Sequence, residues 1–125
     1  ESSTIQADRE PESEMPFIDT KTLPAKEPLP GWAGRFLHSQ NMTFGYYDVA
    51  VGATIHEHSH PNEEVWHVLE GQLEVSIAGE TRIAGPGCVA MIPADTLHSV
   101  RALTASRAIV VDQPRRHEIG KITTD

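Results

Sequence analysis

The sequence predicts an all-β protein, an antiparallel sandwich or barrel, and three features support this fold class. From Trp32 onward, short runs rich in apolar and β-branched residues are separated at regular spacing by Gly, Pro and Asn. No window keeps a helical period for several turns, which excludes alternating β–α–β folds. The chain has no internal repeat, so we expect one barrel rather than a tandem pair.

Nine segments have the length and residue content of β-strands. In chain order they are Arg35–Gln40, Thr43–Val51, Ala53–His58, Glu64–Glu70, Gln72–Ala78, Thr81–Ala84, Cys88–Ile92, Leu97–Ala102 and Ser106–Asp112. Turn-forming residues lie between them. In the same order these are Asn41, Gly52, Pro61-Asn62, Glu70-Gly71, Gly79-Glu80, Gly85-Pro86-Gly87 and Pro93-Ala94-Asp95. Because glycine and proline disfavour strand interiors, each cluster predicts the end of one strand.

The amino-terminal residues 1–31 differ in composition from the rest of the chain. They contain seven of the 18 acidic residues and five of the nine prolines, a composition that opposes burial and regular pairing. We predict a disordered or extended arm over 1–31, with residues 1–14 disordered and 15–31 extended on the barrel or on a neighbouring subunit. A tail that packs on nothing is the alternative. Residues 32–125 are predicted to form a single barrel domain.

The formal net charge of −8 bounds the possible partners. An acidic chain lacks the basic face that a nucleic acid or an anionic membrane surface requires, although one arginine is enough to bind a small anionic substrate. No apolar run is long enough to span a membrane.

The single cysteine, Cys88, excludes an internal disulfide, and its apolar segment predicts a buried thiol. We expect a cytoplasmic protein whose start is trimmed, since the chain begins at Glu1 with no leader-like segment.

Alternation in the segment from Glu64 to Leu69 predicts that both faces of this strand are covered. One face carries Glu64, Trp66 and Val68, and the other carries Val65 and Leu69, which are apolar where a solvated face would be polar. A one-layer barrel cannot cover both faces by itself. We therefore expect a homodimer whose sheets pack face to face. Burial under the chain's own arm is the alternative.

The region between Gly52 and Gly71 contains the strongest candidate site. His58 and His60 are two residues apart, so their rings point to the same side of an extended strand. The turn at Pro61-Asn62 then returns the chain, which brings Glu64 close to them, and His98 can complete the set from another strand. Imidazoles with one carboxylate suit a divalent first-row ion such as Mn, Fe, Co, Ni, Cu or Zn. The lack of thiolate ligands disfavours a structural zinc site.

These positions resemble the two motifs of the cupin family, specifically the small single-domain cupins with a cupin-2 conserved barrel. The first motif, G-x5-H-x-H-x3-E-x6-G, is matched by Gly52, His58, His60, Glu64 and Gly71. The second motif, G-x5-P-x-G-x2-H-x3-N, is matched by Gly87, Pro93 and His98, whereas Asp95 replaces the usual Gly and Ala102 the usual Asn. The resemblance implies a double-stranded β-helix, the jelly-roll or cupin barrel, that holds one metal ion with His58, His60, Glu64 and His98.

Other residues are candidates for catalysis. Glu63 is the alternative to Glu64, although strand parity favours Glu64. His56 shares parity with His58, so it is either an acid–base group at the mouth of the site or an exposed rim histidine. Tyr46 and Tyr47 are adjacent, so one of them is expected to face inward.

Three residues are candidates for substrate binding. Trp66 is on the Glu64 face, as an aromatic wall or as core. Arg35 and Arg101 are candidates for binding a substrate carboxylate, with solvated surface as the alternative for both. His67 is expected on the opposite face from Glu64.

The resemblance implies three possible functions. The first is a small-molecule metalloenzyme of the dioxygenase, isomerase or lyase type. The second is a non-catalytic metal- or ligand-binding, or sensory, cupin module. The third is a cupin that opens uronate rings, because Ser59–Glu64 and Asp112–Arg116 look similar to such proteins.

Overall fold

The structure is a computed structural model that describes residues 16–116. A short 3-10 helix spans Thr20–Thr22. Ten strands follow: β1 (Ala25–Leu29), β2 (Trp32–His38), β3 (Thr43–Val49), β4 (Thr54–His58), β5 (Glu63–Glu70), β6 (Leu73–Ile77), β7 (Glu80–Ala84), β8 (Val89–Ile92), β9 (His98–Ala102) and β10 (Ser106–Gln113). Each of the nine predicted segments corresponds to one strand, and β1 is additional.

The strands form two antiparallel sheets that face each other. One sheet has six strands in the order β1-β2-β3-β10-β5-β8, and the other has four in the order β4-β9-β6-β7. Between β3 and β10 the chain passes repeatedly from one sheet to the other, as in a jelly roll. The predicted all-β jelly-roll barrel is therefore confirmed.

The core lies between the two sheets and uses one face of each strand. On β10, Ala108 and Val110 are buried, whereas Arg107 and Gln113 on the opposite face are exposed. Most other strands show a similar alternation, but the first four residues of β7 are all exposed. The buried apolar side chains of the core include Trp32, Val49, Ile55, Trp66, Val68, Leu73, Val75, Ile92 and Val100. This period of two is what hydrophobic burial on one side of a pleated strand produces.

Part of the predicted arm belongs to the six-stranded sheet. β1 pairs with β2, so that Ala25 lies opposite Arg35 and Leu29 opposite Trp32. The guanidinium of Arg35 donates to the backbone carbonyls of Lys21 and Leu23, which holds the preceding segment against the sheet. Alternation did not indicate β1, because an edge strand tolerates prolines and here carries mostly exposed side chains.

Some predictions fall on residues outside the described range. The disorder expected for residues 1–14 is one of them, and residues 117–125 are likewise not described. Within the described arm, Phe17 is exposed whereas Ile18 and Leu23 are half-buried. Among residues 16–116, no helix is long and apolar enough to cross a membrane.

The prediction of a buried Cys88 is wrong. The thiol is exposed, because Cys88 belongs to the turn that precedes β8 rather than to the strand itself. Its backbone N–H donates to the carbonyl of Gly85 at 2.9 Å, which closes this turn at the surface.

Candidate metal centre

Three histidines lie close together where β4 ends and β9 begins. His58 ends β4 and is the cross-strand partner of His98, the first residue of β9. His60 follows β4 after one residue. The ring centroids lie 4.3 Å apart for His58 and His98, 4.9 Å for His60 and His98, and 5.4 Å for His58 and His60. One nitrogen from each ring lies within 4.8 Å of the other two, which is a spacing that can surround one metal ion.

The backbone fixes the tautomer of all three rings. Nδ1 of His58 lies 2.9 Å from the carbonyl oxygen of His56, Nδ1 of His60 lies 3.1 Å from that of Asn62, and Nδ1 of His98 lies 2.8 Å from that of Thr96. A carbonyl oxygen only accepts hydrogen bonds, so each Nδ1 carries the proton. A neutral ring held in this way has its lone pair on Nε2, as metal ligation requires.

The Nε2 atoms of His60 and His98 are buried and have no hydrogen-bond partner within the described residues. An unpaired buried polar atom is costly, and its presence in two neighbouring rings indicates that a bound group satisfies them. Burial lowers the pKa of His58 to about 4, which keeps its ring neutral near pH 7. The cluster thus fits a divalent transition metal ion by donor type and by protonation state.

Glu64 completes the cluster from β5. Its Oε1 lies 3.2 Å from Nε2 of His98 and 3.6 Å from Nε2 of His60, and it accepts a hydrogen bond from Nε1 of Trp66 at 3.0 Å. The hydrogen bond from Trp66 favours the charged form of this buried carboxyl group. With the protons of both rings on Nδ1, lone pairs face the carboxylate across these short distances. A cation between them removes the repulsion.

A hydrogen bond between two loops holds the ligand-bearing segments together. The backbone N–H of Asp95 donates to the carbonyl of His60 at 2.8 Å, which links the loop before β9 to the segment after β4. Asp95 has a φ of 60°, in the left-handed region that favours glycine, and aspartate tolerates it better than most residues. The replacement of glycine by Asp95 therefore preserves the turn.

Aromatic rings form the wall of the site. Trp66 is buried beside Glu64, and Tyr47 stacks on it with ring centroids 6.4 Å apart. Burial raises the pKa of the Tyr47 hydroxyl, which therefore stays protonated. A cavity of about 30 Å³ adjoins His58 and Glu64 between these rings. That volume holds about two water molecules, so a larger ligand has to reach the histidines from another side.

Asp112 and Arg116 are functional candidates that the sequence analysis included in a resemblance but did not name as site residues. Asp112 is the cross-strand partner of Glu64 and is buried, and the Arg116 guanidinium lies 3.2 Å from Oε2 of Glu64. Burial, together with the charge of Glu64, raises the pKa of Asp112 to about 9. One signal was available: Asp112 shares strand parity with Ala108 and Val110, so it is a carboxylate on an apolar face.

The other candidate catalytic residues are divided between the site and the surface. Tyr47 faces the core, whereas Tyr46 is half-buried on the opposite face and stacks on Phe44. His56 is exposed, which agrees with the rim alternative. Glu63 is also exposed, in contrast to the buried Glu64.

The candidate substrate-binding arginines have other partners. Arg35 is engaged with the arm, and Arg101 pairs with Glu74 at 3.3 Å on the outer face of the four-stranded sheet. Trp66 is buried in the core beside Glu64, and its role in substrate binding stays a prediction. His67 is exposed on the opposite face of β5. The ligand roles of the four central residues stay a prediction, which the geometry makes testable.

Known proteins share this fold and part of this sequence. The family model described as Cupin domain matches residues 34–113. An uncharacterized protein of Streptomyces coelicolor is 30% identical over 81 residues, which are 64% of this chain and 77% of that protein. The chain is also similar to KdgF of a Halomonas species, with 25% identity, a TM-score of 0.77, and coverage of 82% of this chain and 96% of that one.

Two further solved structures resemble the fold. An RmlC-like cupin of Shewanella frigidimarina is 19% identical with a TM-score of 0.78, and the match covers 82% of this chain and 94% of that one. The oxalate decarboxylase of Bacillus subtilis, which has Mn(II) centres, is 18% identical with a TM-score of 0.73. The match covers 86% of this chain but 31% of the decarboxylase, so it concerns a part of that longer protein.

Proposed function

This chain belongs to the cupin domain family, and we propose that it is a metal-dependent enzyme acting on a small molecule. In this proposal His58, His60, His98 and Glu64 hold one divalent transition metal ion. The observation that supports it most strongly is the pair of buried Nε2 atoms, on His60 and His98, that face Glu64 and have no hydrogen-bond partner among residues 16–116. Three neutral imidazoles and one carboxylate leave positions open on an ion with five or six ligands.

A bound divalent ion would supply Lewis-acid chemistry, or an ordered position for a chelating substrate or dioxygen. The protein's own residues prepare the site for it. The backbone carbonyls orient the three rings, and Glu64 contributes one negative charge. Trp66 and Tyr47 exclude bulk water from one side, which strengthens electrostatic interactions there. Among His60, Glu64 and His98, the side chain of His60 is the most exposed, at 9% against 4% for Glu64 and 1% for His98. A substrate would therefore approach past His60.

The first test is metal content. Protein purified without chelators, and protein reloaded with Mn, Fe, Co, Ni, Cu or Zn, should contain about one ion per chain by elemental analysis. His60→Ala and Glu64→Gln should lower that content while leaving the β-sheet circular dichroism unchanged, because the apolar faces hold the barrel. His67→Ala is the matched control, since it removes an exposed histidine from the strand that carries Glu64. Wild-type protein without stoichiometric metal in both preparations would refute the proposal.

The second test is turnover. The metal-loaded protein is incubated with small diketones, catechols and uronates, with oxygen consumption and product formation measured for each. We expect turnover with at least one class, and its loss in Glu64→Gln. The oxygen measurement distinguishes a dioxygenase from an isomerase or lyase, because only the dioxygenase consumes oxygen.

A second candidate is a non-catalytic metal- or ligand-binding or sensory module, because the same cluster can hold an ion whether or not a reaction follows. This function predicts stoichiometric metal and saturable ligand binding, but no turnover in the screen. Isothermal titration with the screened compounds separates it from the enzyme.

Uronate ring opening is the third candidate. The resemblance of Ser59–Glu64 and Asp112–Arg116 to cupins that open uronate rings supports it. It predicts that the unsaturated uronate, and not the diketones or catechols, is consumed without oxygen uptake. The loss of the ring's absorbance at constant oxygen would be the measurement.

A further inference from the structure

We propose that Arg116 and Asp112 are positioning residues that hold the carboxylate of Glu64 toward the three histidines. This inference rests on the proposed metal site, because it concerns how one of its four ligands is oriented. Neither residue contributes a ligand in this proposal. They act through Glu64, and their removal should change metal affinity and ligand geometry more than it changes the barrel.

The two oxygens of Glu64 have different partners, which fixes the plane of the carboxylate. Oε1 faces His60 and His98 and accepts from Trp66, whereas Oε2 lies 3.2 Å from Nη1 of Arg116. Rotation of the carboxylate would break the contacts of both oxygens together. The Arg116 side chain is 13% exposed and that of Glu64 is 4% exposed, so water competes little for this ion pair.

Asp112 is the second carboxyl group that the guanidinium of Arg116 contacts. Its Oδ2 lies 3.7 Å from Nη1 of Arg116, and its backbone is opposite Glu64 in the β5–β10 ladder. Its Oδ1 is buried without a hydrogen-bond partner in the described part of the chain. Arg116 therefore lies between two buried carboxyl groups on adjacent strands. An arginine stays charged in such a place, which makes it a fixed positive group beside the site.

Two hydrogen bonds attach the segment that carries Arg116. The backbone N–H of Arg116 donates to Oγ1 of Thr43 at 2.8 Å, and Nδ2 of Asn62 donates to the carbonyl of Pro114 at 2.6 Å. The carbonyl of Asn62 is also the acceptor for Nδ1 of His60. Asn62 thus connects the segment that carries Arg116, through its side chain, to the candidate ligand His60, through its carbonyl.

The loss of Arg116 would leave Oε2 of Glu64 as a buried charged oxygen without its donor. Such an oxygen either rotates toward another donor or takes up a proton, and both changes remove a metal ligand or weaken it. Substitution of groups that orient metal ligands typically lowers metal affinity by about 10- to 100-fold. We expect that range for Arg116→Met, and a smaller loss for Arg116→Lys, which keeps the charge but not the planar fork.

The experiment compares metal affinity and the spectrum of the metal in four variants. Arg116→Met, Arg116→Lys and Asp112→Asn are titrated with Mn(II) against a competing chelator, and their EPR spectra are recorded at saturating metal. The matched control is Arg107→Met, which removes an exposed arginine from β10 together with its ion pairs to Asp48 and Glu70. We expect weaker binding and an altered spectrum in Arg116→Met, smaller changes in the other two variants, and wild-type values in the control.

The outcomes separate this inference from the metal site itself. Wild-type protein that binds no Mn(II), Fe(II), Co(II), Ni(II), Cu(II) or Zn(II) would refute the metal site. Wild-type binding with an Arg116→Met variant that matches Arg107→Met in affinity and spectrum would refute only the positioning role. If Arg116→Met fails to fold by circular dichroism, the two conservative variants decide, and wild-type affinity and spectrum in both would refute the role.

Discussion

Two neighbouring rows of side chains cross the six-stranded sheet and have opposite character. The inner row faces the four-stranded sheet, and it consists of Ile92, Glu64, Asp112, Thr43 and His38 on successive strands. The outer row is one residue away on each strand. It consists of Met91, Val65, Val111, Phe44 and Leu37. The inner row is thus mostly polar and buried, and the outer row is apolar throughout.

A small soluble barrel is expected to have an apolar inner row and a polar outer row, and these two rows show the opposite. In the inner row the polar groups are connected, since Arg116 joins Glu64 to Asp112 and Thr43 lies 2.8 Å from Nδ1 of His38. In the outer row Met91 is 67% exposed although it is large and apolar, and the other four residues are half-buried. From this contrast we expect a ligand on the polar side of the sheet and a macromolecular cover on the apolar side.

The four-stranded sheet supplies the reference for an uncovered outer face. Its outward residues are mostly polar: Thr54, Glu74, Ser76, Thr81, Ser99 and Arg101, with Ile83 as the large apolar exception. The chain's own terminal segments, 1–15 and 117–125, are rich in polar and charged residues and bring few large apolar side chains. We therefore propose that a second copy of the chain covers the outer row, which agrees with the homodimer expected from the sequence.

The largest expected effect is between the two sheets, at His98 of β9, which faces the inner row. His98→Ala removes a proposed ligand that is 1% exposed, so stoichiometric metal binding should be abolished. His67→Ala, on the outer side of β5, should bind metal as the wild type does. Elemental analysis of both variants after dialysis against the metal is the measurement. Equal metal content in the two variants would contradict the assignment of the inner side as the ligand side.

Adjacent residues of β8 allow the two sides to be compared in stability. Ile92 is fully buried and Met91 is mostly exposed. Ile92→Ala should lower the free energy of unfolding by about 2–5 kcal/mol, through lost burial and the cavity that remains. Met91→Ala should change it by about 0.5 kcal/mol or less when measured on the monomer. Urea unfolding at low protein concentration would show this, and equal losses would mean that the outer row is already buried within one chain.

The dimer proposal is tested with charge on the outer row. The double variant Val65→Glu with Met91→Glu should be monomeric, because two charges per chain would be buried unpaired in the interface. Ser76→Glu, on the outer face of the four-stranded sheet, should stay dimeric as the wild type. Size-exclusion chromatography with light scattering measures the mass. A monomeric wild type at micromolar concentration would remove the proposal.

The pH dependence of the metal-free protein offers a further comparison. The pKa of His58 is about 4 in the folded chain against an ordinary value of 6.5, so between these values the unfolded chain binds a proton that the folded chain does not. The stability that a neutral His58 gives is fully present above about pH 6.5 and is lost as the pH falls toward 4. His58→Gln should show a shallower pH slope, by up to about one proton. Identical slopes in urea unfolding would contradict it.

The sequence predicted nine of the ten strands because they follow from local spacing, with apolar alternation in most of them and turn residues between them. The proximity of His58, His60 and Glu64 follows from one strand, one turn and the next strand, and their role as ligands stays a prediction. The glycine positions of the motifs have a physical reason in this chain. Gly71 has a φ of 84°, and a Cβ there would lie 2.3 Å from Oγ of Ser106.

Other parts of the site depend on contacts between distant segments, which local spacing does not contain. Arg116 reaches Glu64 only because β10 pairs with β5, and the register of that pairing is a property of the folded barrel. Asn62 was predicted only as a turn residue, yet its side chain contacts Pro114 across the chain. β1 was missed because its pairing with β2 at an edge demands no alternation.

The contacts between each Nδ1 and a carbonyl have a consequence for the entropy of metal capture. All three acceptors lie two residues from the ring that they hold, so folding of the local backbone fixes the rings before any ion arrives. Immobilising a side chain costs about 0.5–1.5 kcal/mol, and for three rings this cost is transferred from the binding step to the folding step. The metal-free barrel should accordingly be as well ordered at these rings as the loaded one, with an affinity about 10- to 1,000-fold higher than that of a mobile set of the same ligands.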